Sequence, residues 1–165
     1  MAVTSFDPRG PYIVPGRNGG IPSIQYGILE ADSQSFKAGH FVYLATAAAT
    51  LYPGGDLPLL GIAMKDATNV TSGNIEIPIQ IITPDDEVAI SVATSADVLE
   101  AANTTCAVGT DYDTNTGSSI PSYIDSSDTT NACFRFQGEL LDSTGSAAKR
   151  GIFRLLPAEA QAWEG

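Results

Sequence analysis

His40 is the only histidine in the chain, so a Ser-His-Asp triad or an imidazole-based metal site would have to include it. It follows Ala38-Gly39 in a predicted turn, and no G-x-S-x-G motif supplies a nucleophile for it. We therefore interpret His40 as a packed or solvated turn residue. We expect no enzymatic activity, no cofactor and no metal ion.

A calcium-like half-motif is the sharpest local pattern. Asp111, Asp113 and Asn115 have the D-x-D-x-N spacing of the first half of an oxygen-lined calcium loop. The glycine of that loop comes one position late, and Ser122 stands where the bidentate glutamate should be. The favoured interpretation is a polar connection whose Asp and Asn side chains bond their own backbone.

Two clusters of charged residues are interpreted without a catalytic role. Asp85, Asp86 and Glu87 are neighbours in one turn, whereas a glycosidase needs two carboxylates held apart across a cleft, so we predict a solvated loop tip. Half of the basic residues lie in the last strands, where they either pair with a neighbouring subunit or are scattered surface charges: Arg135, Lys149, Arg150 and Arg154.

Composition narrows the function classes. The net charge is −11, from 19 acidic and 8 basic residues, which argues against binding nucleic acid. No apolar run has the length of a membrane span, and the N-terminus lacks the apolar core of a signal peptide, so we expect neither. Cys106 and Cys133 could pair, but we favour two buried thiols that stay apart in a reducing compartment.

The elements that must position these residues are predicted to be strands. Ile75, Ile77, Ile79 and Ile81 alternate, which places them on one face of a strand. We predict that this strand forms an antiparallel hairpin with residues 88–92 across the turn at 83–87, and that residues 59–64 add a third strand to the meander.

Further strands are predicted at residues 23–29, 41–45, 122–125, 133–137 and 149–156, with turns at 126–131 and 138–146. Residues 95–102 predict one short helix, Pro157 begins a helical turn, and residues 45–50 fit either a helical turn or a loop. The fold class is therefore mainly β: a compact antiparallel β-barrel or sandwich with one short helix and an extended N-terminal arm.

Residues 1–22 hold four prolines and four glycines, which exclude a helix or a long strand. The same segment carries apolar side chains that a solvated tail would not need, so we predict an extended arm that docks on its own domain, a neighbouring copy or another protein. Residues 23–165 then form a single β-rich domain. The predicted partner-contact residues are Phe6, Tyr12, Ile13, Val14 and Arg17.

The order of features resembles that of tailed-bacteriophage capsid decoration, or cement, proteins. The matching pieces are residues 36–44, 59–66, the alternating run 75–92, and residues 108–112, 123–125, 134–136 and 151–155. The resemblance implies a β-rich homotrimer, made in the host cytoplasm, that lies on the outer capsid surface of the virion and contacts the major capsid protein. It implies no catalytic residues, and the charge balance and the lack of an apolar span predict neither a nucleic acid nor a membrane partner.

Two rival functions stay open. One is another structural part of the virion, in the tail or baseplate. The other is a carbohydrate-binding or adhesion module, which predicts exposed aromatic side chains around a groove and calcium at Asp111 and Asp113.

Overall fold

The computed structural model of the chain describes residues 10–17, 22–55, 57–93, 106–115, 122–141 and 149–161. These residues form two β-sheets and one 3-10 turn, Pro157–Glu159. One sheet contains β1 (Tyr12–Ile13), β7 (Val88–Ala93), β8 (Asp111–Asn115), β9 (Tyr123–Asp125), β10 (Phe134–Leu141) and β11 (Lys149–Leu155). The other contains β2 (Ile24–Gln25), β3 (Phe41–Ala45), β4 (Ala48–Leu51), β5 (Gly61–Ala63) and β6 (Ile79–Ile81).

The first sheet closes into a five-stranded barrel. Its strands follow the order β7-β11-β10-β8-β9, and β9 then pairs with β7 in parallel, with Val92 opposite Ile124. The short arm strand β1 pairs with the beginning of β7, where Ile13 lies opposite Val88. Strand β11 occupies the other edge of β7, so β1 and β9 share a single edge.

The second sheet has the order β2-β6-β5-β3-β4 and curls on itself. Its curl is fastened by the segment that follows β2, because Leu29 bridges to Glu76 on one side while Glu30 bridges to Ala49 on the other. Gly27 has φ of +82°, and this left-handed residue reverses the alternation of the chain, leaving Ile28 buried and Leu29 exposed.

Two hydrophobic cores lie on opposite faces of the second sheet. Phe41 and Ile62 point toward the barrel, whereas their neighbours Val42 and Ala63 point into the curl. Strands β3 and β5 are therefore buried on both faces, which explains the nearly continuous apolar run from residue 59 to residue 64.

Contacts of three kinds hold the two sheets together. The rings of Phe41 in β3 and Phe134 in β10 stack with their centroids 5.3 Å apart. The buried Ser122 hydroxyl accepts a hydrogen bond of 2.8 Å from the Phe41 N–H. At the C-terminal end, the Gln161 side chain accepts from Leu44 N at 2.7 Å and donates to Leu44 O at 3.2 Å, fastening this segment to β3.

The predicted fold class is confirmed as mainly β with a barrel. Strand positions at residues 41–45, 123–125 and 149–155 agree closely with the sequence prediction, as does the helical turn at Pro157. The predicted helix at residues 95–102 lies outside the described residues.

The predicted hairpin between the isoleucine strand and residues 88–92 is wrong. Strand β6 pairs with β5 and β2 in the second sheet, whereas β7 pairs with β1, β11 and β9 in the barrel. The turn at residues 83–87 carries the chain from one sheet to the other. The predicted pairing of the isoleucine strand with residues 59–64 is confirmed by the β5–β6 ladder.

Two smaller corrections concern turns. Residues 45–50 form neither a helical turn nor a loop, because Ala45 pairs with Ala48 across a two-residue hairpin turn. Residues 138–141 continue β10 rather than ending it, since the ladder to β11 resumes at Leu140 after an irregularity around Gly138, where φ is +90°.

The β3–β4 turn offers a stabilising substitution. Thr46 and Ala47 have φ of 51° and 63°, the left-handed pair that a two-residue hairpin turn requires and that Asn-Gly adopts most readily. We expect Thr46→Asn with Ala47→Gly to raise the free energy of unfolding by about 1–2 kcal/mol, measured by urea denaturation. Ala48→Gly, in the adjoining strand, is the matched control and should lower it by about 0.5–1 kcal/mol; a loss in both would contradict the turn geometry.

Candidate functional site

The described part of the N-terminal arm lies along the barrel of its own chain. Strand β1 forms a ladder with β7, and the N–H of Val14 extends it by donating to Glu87 O at 2.8 Å. The Ile13 side chain is buried in the barrel core. The arm is thus anchored by main-chain hydrogen bonds and by one apolar side chain.

Ion pairs fasten the end of this segment. The Arg17 guanidinium contacts Glu87 at 3.4 Å and makes two hydrogen bonds to the Glu139 carboxylate, one of 3.2 Å. Arg154 of β11 reaches the other oxygen of Glu87 at 3.1 Å. The hydrogen bond from Arg17, together with its charge, lowers the pKa of Glu139. Glu87 therefore joins the arm to the last strand of the barrel.

Tyr12 covers a buried arginine. The guanidinium carbon of Arg150 lies 5.1 Å from the centroid of the Tyr12 ring, and the Arg150 side chain is almost fully buried. A cation over an aromatic face is attracted by the ring quadrupole, and more strongly where water is excluded. The arm thus contributes both an apolar side chain and an aromatic lid to the barrel.

The structure places four of the five predicted partner-contact residues beside β7 of their own chain: Tyr12, Ile13, Val14 and Arg17, with Ile13 buried in the core. Phe6 lies outside the described residues. Their contact with another molecule stays a prediction. Sequence reasoning did not identify the residues that receive the arm, namely Glu87, Glu139, Arg150 and Arg154. Their positions relative to the arm depend on strand pairings far apart in the sequence.

The solvated loop tip predicted at residues 85–87 is only partly correct. Asp85 is exposed, but Asp86 is buried and accepts hydrogen bonds of 2.8 Å from both the N–H and the hydroxyl of Thr83. Glu87 is largely covered by its arginines. The physical reason is that this turn links two packed sheets, so the side chains of Asp86 and Glu87 are covered where the sheets meet.

His40 is packed rather than solvated. It is fully buried, and its Nδ1 accepts a hydrogen bond of 2.8 Å from the backbone N–H of Lys37. This contact holds the turn that leads into β3. The histidine therefore supports the fold locally, as the packed alternative predicted.

The calcium-like half-motif lies in a strand. Asp111, Asp113 and Asn115 alternate along one face of β8, so they do not wrap around a point as loop ligands do. Arg135 donates to both oxygens of Asp111, at 2.6 and 2.9 Å, and the Gly55 N–H donates to Asp113 at 3.1 Å. Within the described ranges, no three His, Cys, Asp or Glu side chains converge on a possible metal position.

Both cysteines are buried and are not joined by a disulfide, as expected. Burial, and next the charge of Asp113, raises the pKa of the Cys133 thiol to about 12. The Cys133 sulfur lies 3.7 Å from Asp113 Oδ1, and burial raises the pKa of that carboxyl group as well. Cys133 is therefore protonated at neutral pH, whereas a cysteine nucleophile acts as the thiolate.

Glu30 is a buried carboxylate that organises the loops of the second sheet. It accepts hydrogen bonds from Thr68 N at 2.7 Å, from the Thr68 hydroxyl and from Ile75 N at 3.3 Å. Burial alone would raise its pKa, but the bonds from Thr68 and Ile75 outweigh burial, and the pKa of Glu30 is lowered. Its ionised form is therefore the one that the fold stabilises.

Replacing Glu30 by glutamine should lower the free energy of unfolding by about 2–3 kcal/mol at neutral pH, because an amide cannot receive all of these donors. A lowered native pKa contributes stability above the unfolded value near 4.5, and this contribution is lost as the pH falls through the native pKa. Urea denaturation at several pH values should therefore show that the deficit of Glu30→Gln shrinks in acid. The exposed Glu76→Gln serves as control, and a deficit independent of pH would contradict the assignment.

No protein-family model matches the chain, and no curated protein matches it significantly. In the described part of the chain, no helix is long and apolar enough to cross a membrane.

Proposed function

We propose that the chain is a structural virion protein that decorates and stabilises a phage capsid by bridging neighbouring major capsid subunits as a homotrimer. It would act without catalysis on the outer capsid surface, after synthesis in the host cytoplasm. Its support in the sequence is the resemblance to cement proteins over residues 36–156.

The observation that carries the proposal is that four basic side chains form ion pairs within the chain itself. Arg17, Arg135 and Arg154 each contact a carboxylate of the same chain, and Lys37 contacts Asp66 at 3.3 Å. Because these charges are balanced internally, the excess of acidic residues falls on the rest of the chain. An acidic body repels nucleic acid and is steered toward basic surfaces of a partner.

The architecture supports the same role. Two β-sheets share one packed body, and an arm segment is fastened to it by a strand ladder and by ion pairs. A protein that bridges shell subunits must transmit force without deforming, and densely packed β-structure resists deformation. Threefold closure of identical copies would allow several such bodies to engage one lattice point together.

The test is binding to purified capsid shells that lack the protein. Full-length protein is compared with a variant lacking residues 1–9, which keeps β1 and therefore keeps Ile13 in the core. We expect saturable binding with a copy number divisible by three, and a trimeric mass for the free protein by light scattering. Weaker binding of the shortened variant would give the arm a role at the shell.

Failure of the full-length protein to bind shells would contradict the proposal. Purified tails and baseplates provide the comparison for the second structural role, since saturable binding there alone would reassign the protein within the virion. A monomer whose melting temperature rises with calcium would instead favour the adhesion module.

A further inference from the structure

An exposed apolar strip lies along β2 and the segment after it, whose outer edge is closed at Leu29, where Leu29 O accepts a hydrogen bond of 2.8 Å from Ala49 N. Ile24 is 37% exposed, Tyr26 59% and Leu29 51%, and all three lie within six consecutive residues of β2 and the segment after it. Large apolar side chains grouped in this way commonly mark an interaction surface, whereas single ones carry no such meaning.

The backbone of this strip also has an open edge. Strand β2 is the terminal strand of its sheet among the described elements, and it pairs with β6 on one side. The N–H of Ile81 donates to Ser23 O at 2.9 Å, which makes that pair hydrogen-bonded and the next pair, Ile24 with Gln80, non-hydrogen-bonded. The N–H and C=O of Ile24 are therefore directed away from β6.

Across residues 23–29, no side chain of a blocking type protects this edge. Exposed edges are commonly blocked by proline or by charged side chains, and residues 23–29 contain neither. Pro22 lies two positions before Ile24, so the unprotected stretch begins at Ser23. The backbone of Ile24 is therefore competent to pair.

The charges around the strip define the chemistry of the partner. Glu76 lies opposite Leu29, Asp32 follows three residues later, and Asp85 adjoins Pro84 in the wall of a groove of about 490 Å³ beside Ser23 and Gln25. All three carboxylates are exposed, and none has an ion-pair partner within the described residues. Two copies meeting through this edge would bring the same carboxylates together, and like charges disfavour that contact.

We propose that the outer edge of β2 binds an extended segment of a partner protein that is apolar at alternate positions and carries Lys or Arg at its flanks. The segment adds a strand to the sheet: its main chain pairs with Ile24, and its apolar side chains cover Ile24, Tyr26 and Leu29. The flanking cations meet Asp32, Glu76 and Asp85. Only the identification of the partner as a shell subunit rests on the proposed function.

The first experiment measures binding to shells that lack the protein. Ile24→Lys with Tyr26→Lys places two cations on the edge, and Leu57→Lys is the matched control, because Leu57 has the same 37% exposure as Ile24 but lies in a loop before β5. We expect the double variant to lose at least about tenfold in affinity, the control to bind as the unmodified protein does, and the amides of Ile24 and Tyr26 to exchange more slowly when bound. Unchanged binding of the double variant would overturn the inference while leaving the proposed function intact.

If the unmodified protein binds no shells, the proposed function fails and a second probe decides the inference. The probe is a synthetic peptide of alternating Val and Thr with two Lys at each end, compared with the same peptide flanked by Glu. NMR shifts at residues 24–29 on adding the Lys-flanked peptide, reduced with the Glu-flanked one, would support the edge. No shifts with either peptide, or equal shifts with a second copy of this chain, would overturn it.

Discussion

Gly61→Ala should lower the free energy of unfolding by at least about 3 kcal/mol and the melting temperature by roughly 10 °C. A Cβ at Gly61 would lie 2.9 Å from the carbonyl carbon of Gln80 in β6, and closer still to its oxygen. These are backbone atoms of a paired strand, so the added methyl group can fit only if β5 and β6 separate. Differential scanning calorimetry gives both quantities.

Gly151→Ala is the matched control for that experiment. Gly151 also lies in a strand, but an added Cβ would meet ring atoms of Phe153 at 2.7 Å and of Phe136 at 3.1 Å. Rings can turn where a paired backbone cannot, so we expect a loss of only about 1 kcal/mol. Equal losses for the two variants would show that contact with backbone is not what makes Gly61 necessary.

Phe134→Ala is expected to cost about 3–5 kcal/mol. The side chain is fully buried and stacks on Phe41, so its removal leaves a cavity where the barrel meets the second sheet. Because the contact joins the sheets, urea denaturation followed by far-UV and near-UV circular dichroism should show whether they still unfold together.

Two further variants serve as controls for Phe134→Ala. Phe134→Leu keeps most of the volume and should cost less than about half as much, whereas Val108→Ala, at an exposed position, should fall within about 0.5 kcal/mol of the unmodified protein. A loss below about 1 kcal/mol for Phe134→Ala would mean that the junction does not depend on this ring.

Local pattern was sufficient for several elements. Strands β3 and β11 were predicted because apolar and β-branched residues are bounded there by turn residues, and Pro157 marked the 3-10 turn because its fixed φ suits a first helical position. These features depend on a few neighbouring residues, so they can be predicted from the sequence.

Strand pairing was harder to predict from the sequence. The turn at residues 83–87 has the composition of a hairpin, but the same residues can equally link two sheets. The deciding fact is that β3 and β5 are buried on both faces, so that one face of the second sheet must be covered by the barrel. That requirement arises from packing of the whole chain rather than from the alternation of Ile75 to Ile81.

The surface that the arm contacts could not be predicted from the sequence, for a related reason. Ile13 and Val88 are adjacent in space but distant in sequence, and a strand of two residues between prolines gives almost no periodic signal. Glu87 looked solvated within an acidic run, and only its contacts with Arg17 and Arg154 show otherwise. An apolar N-terminal segment indicated that an arm docks, but not where.

The place of β1 in the barrel also sets the timing of assembly on the ribosome. The arm strand β1 is synthesised before β7, with which it pairs, and β9 and β11, which complete that surface, follow still later. At translation rates of about 5–20 residues per second, synthesis from Ile13 to Val88 takes roughly 4–15 seconds. During that time β1 has no partner strand in its own chain. The arm can therefore join the barrel only after β7 has been synthesised.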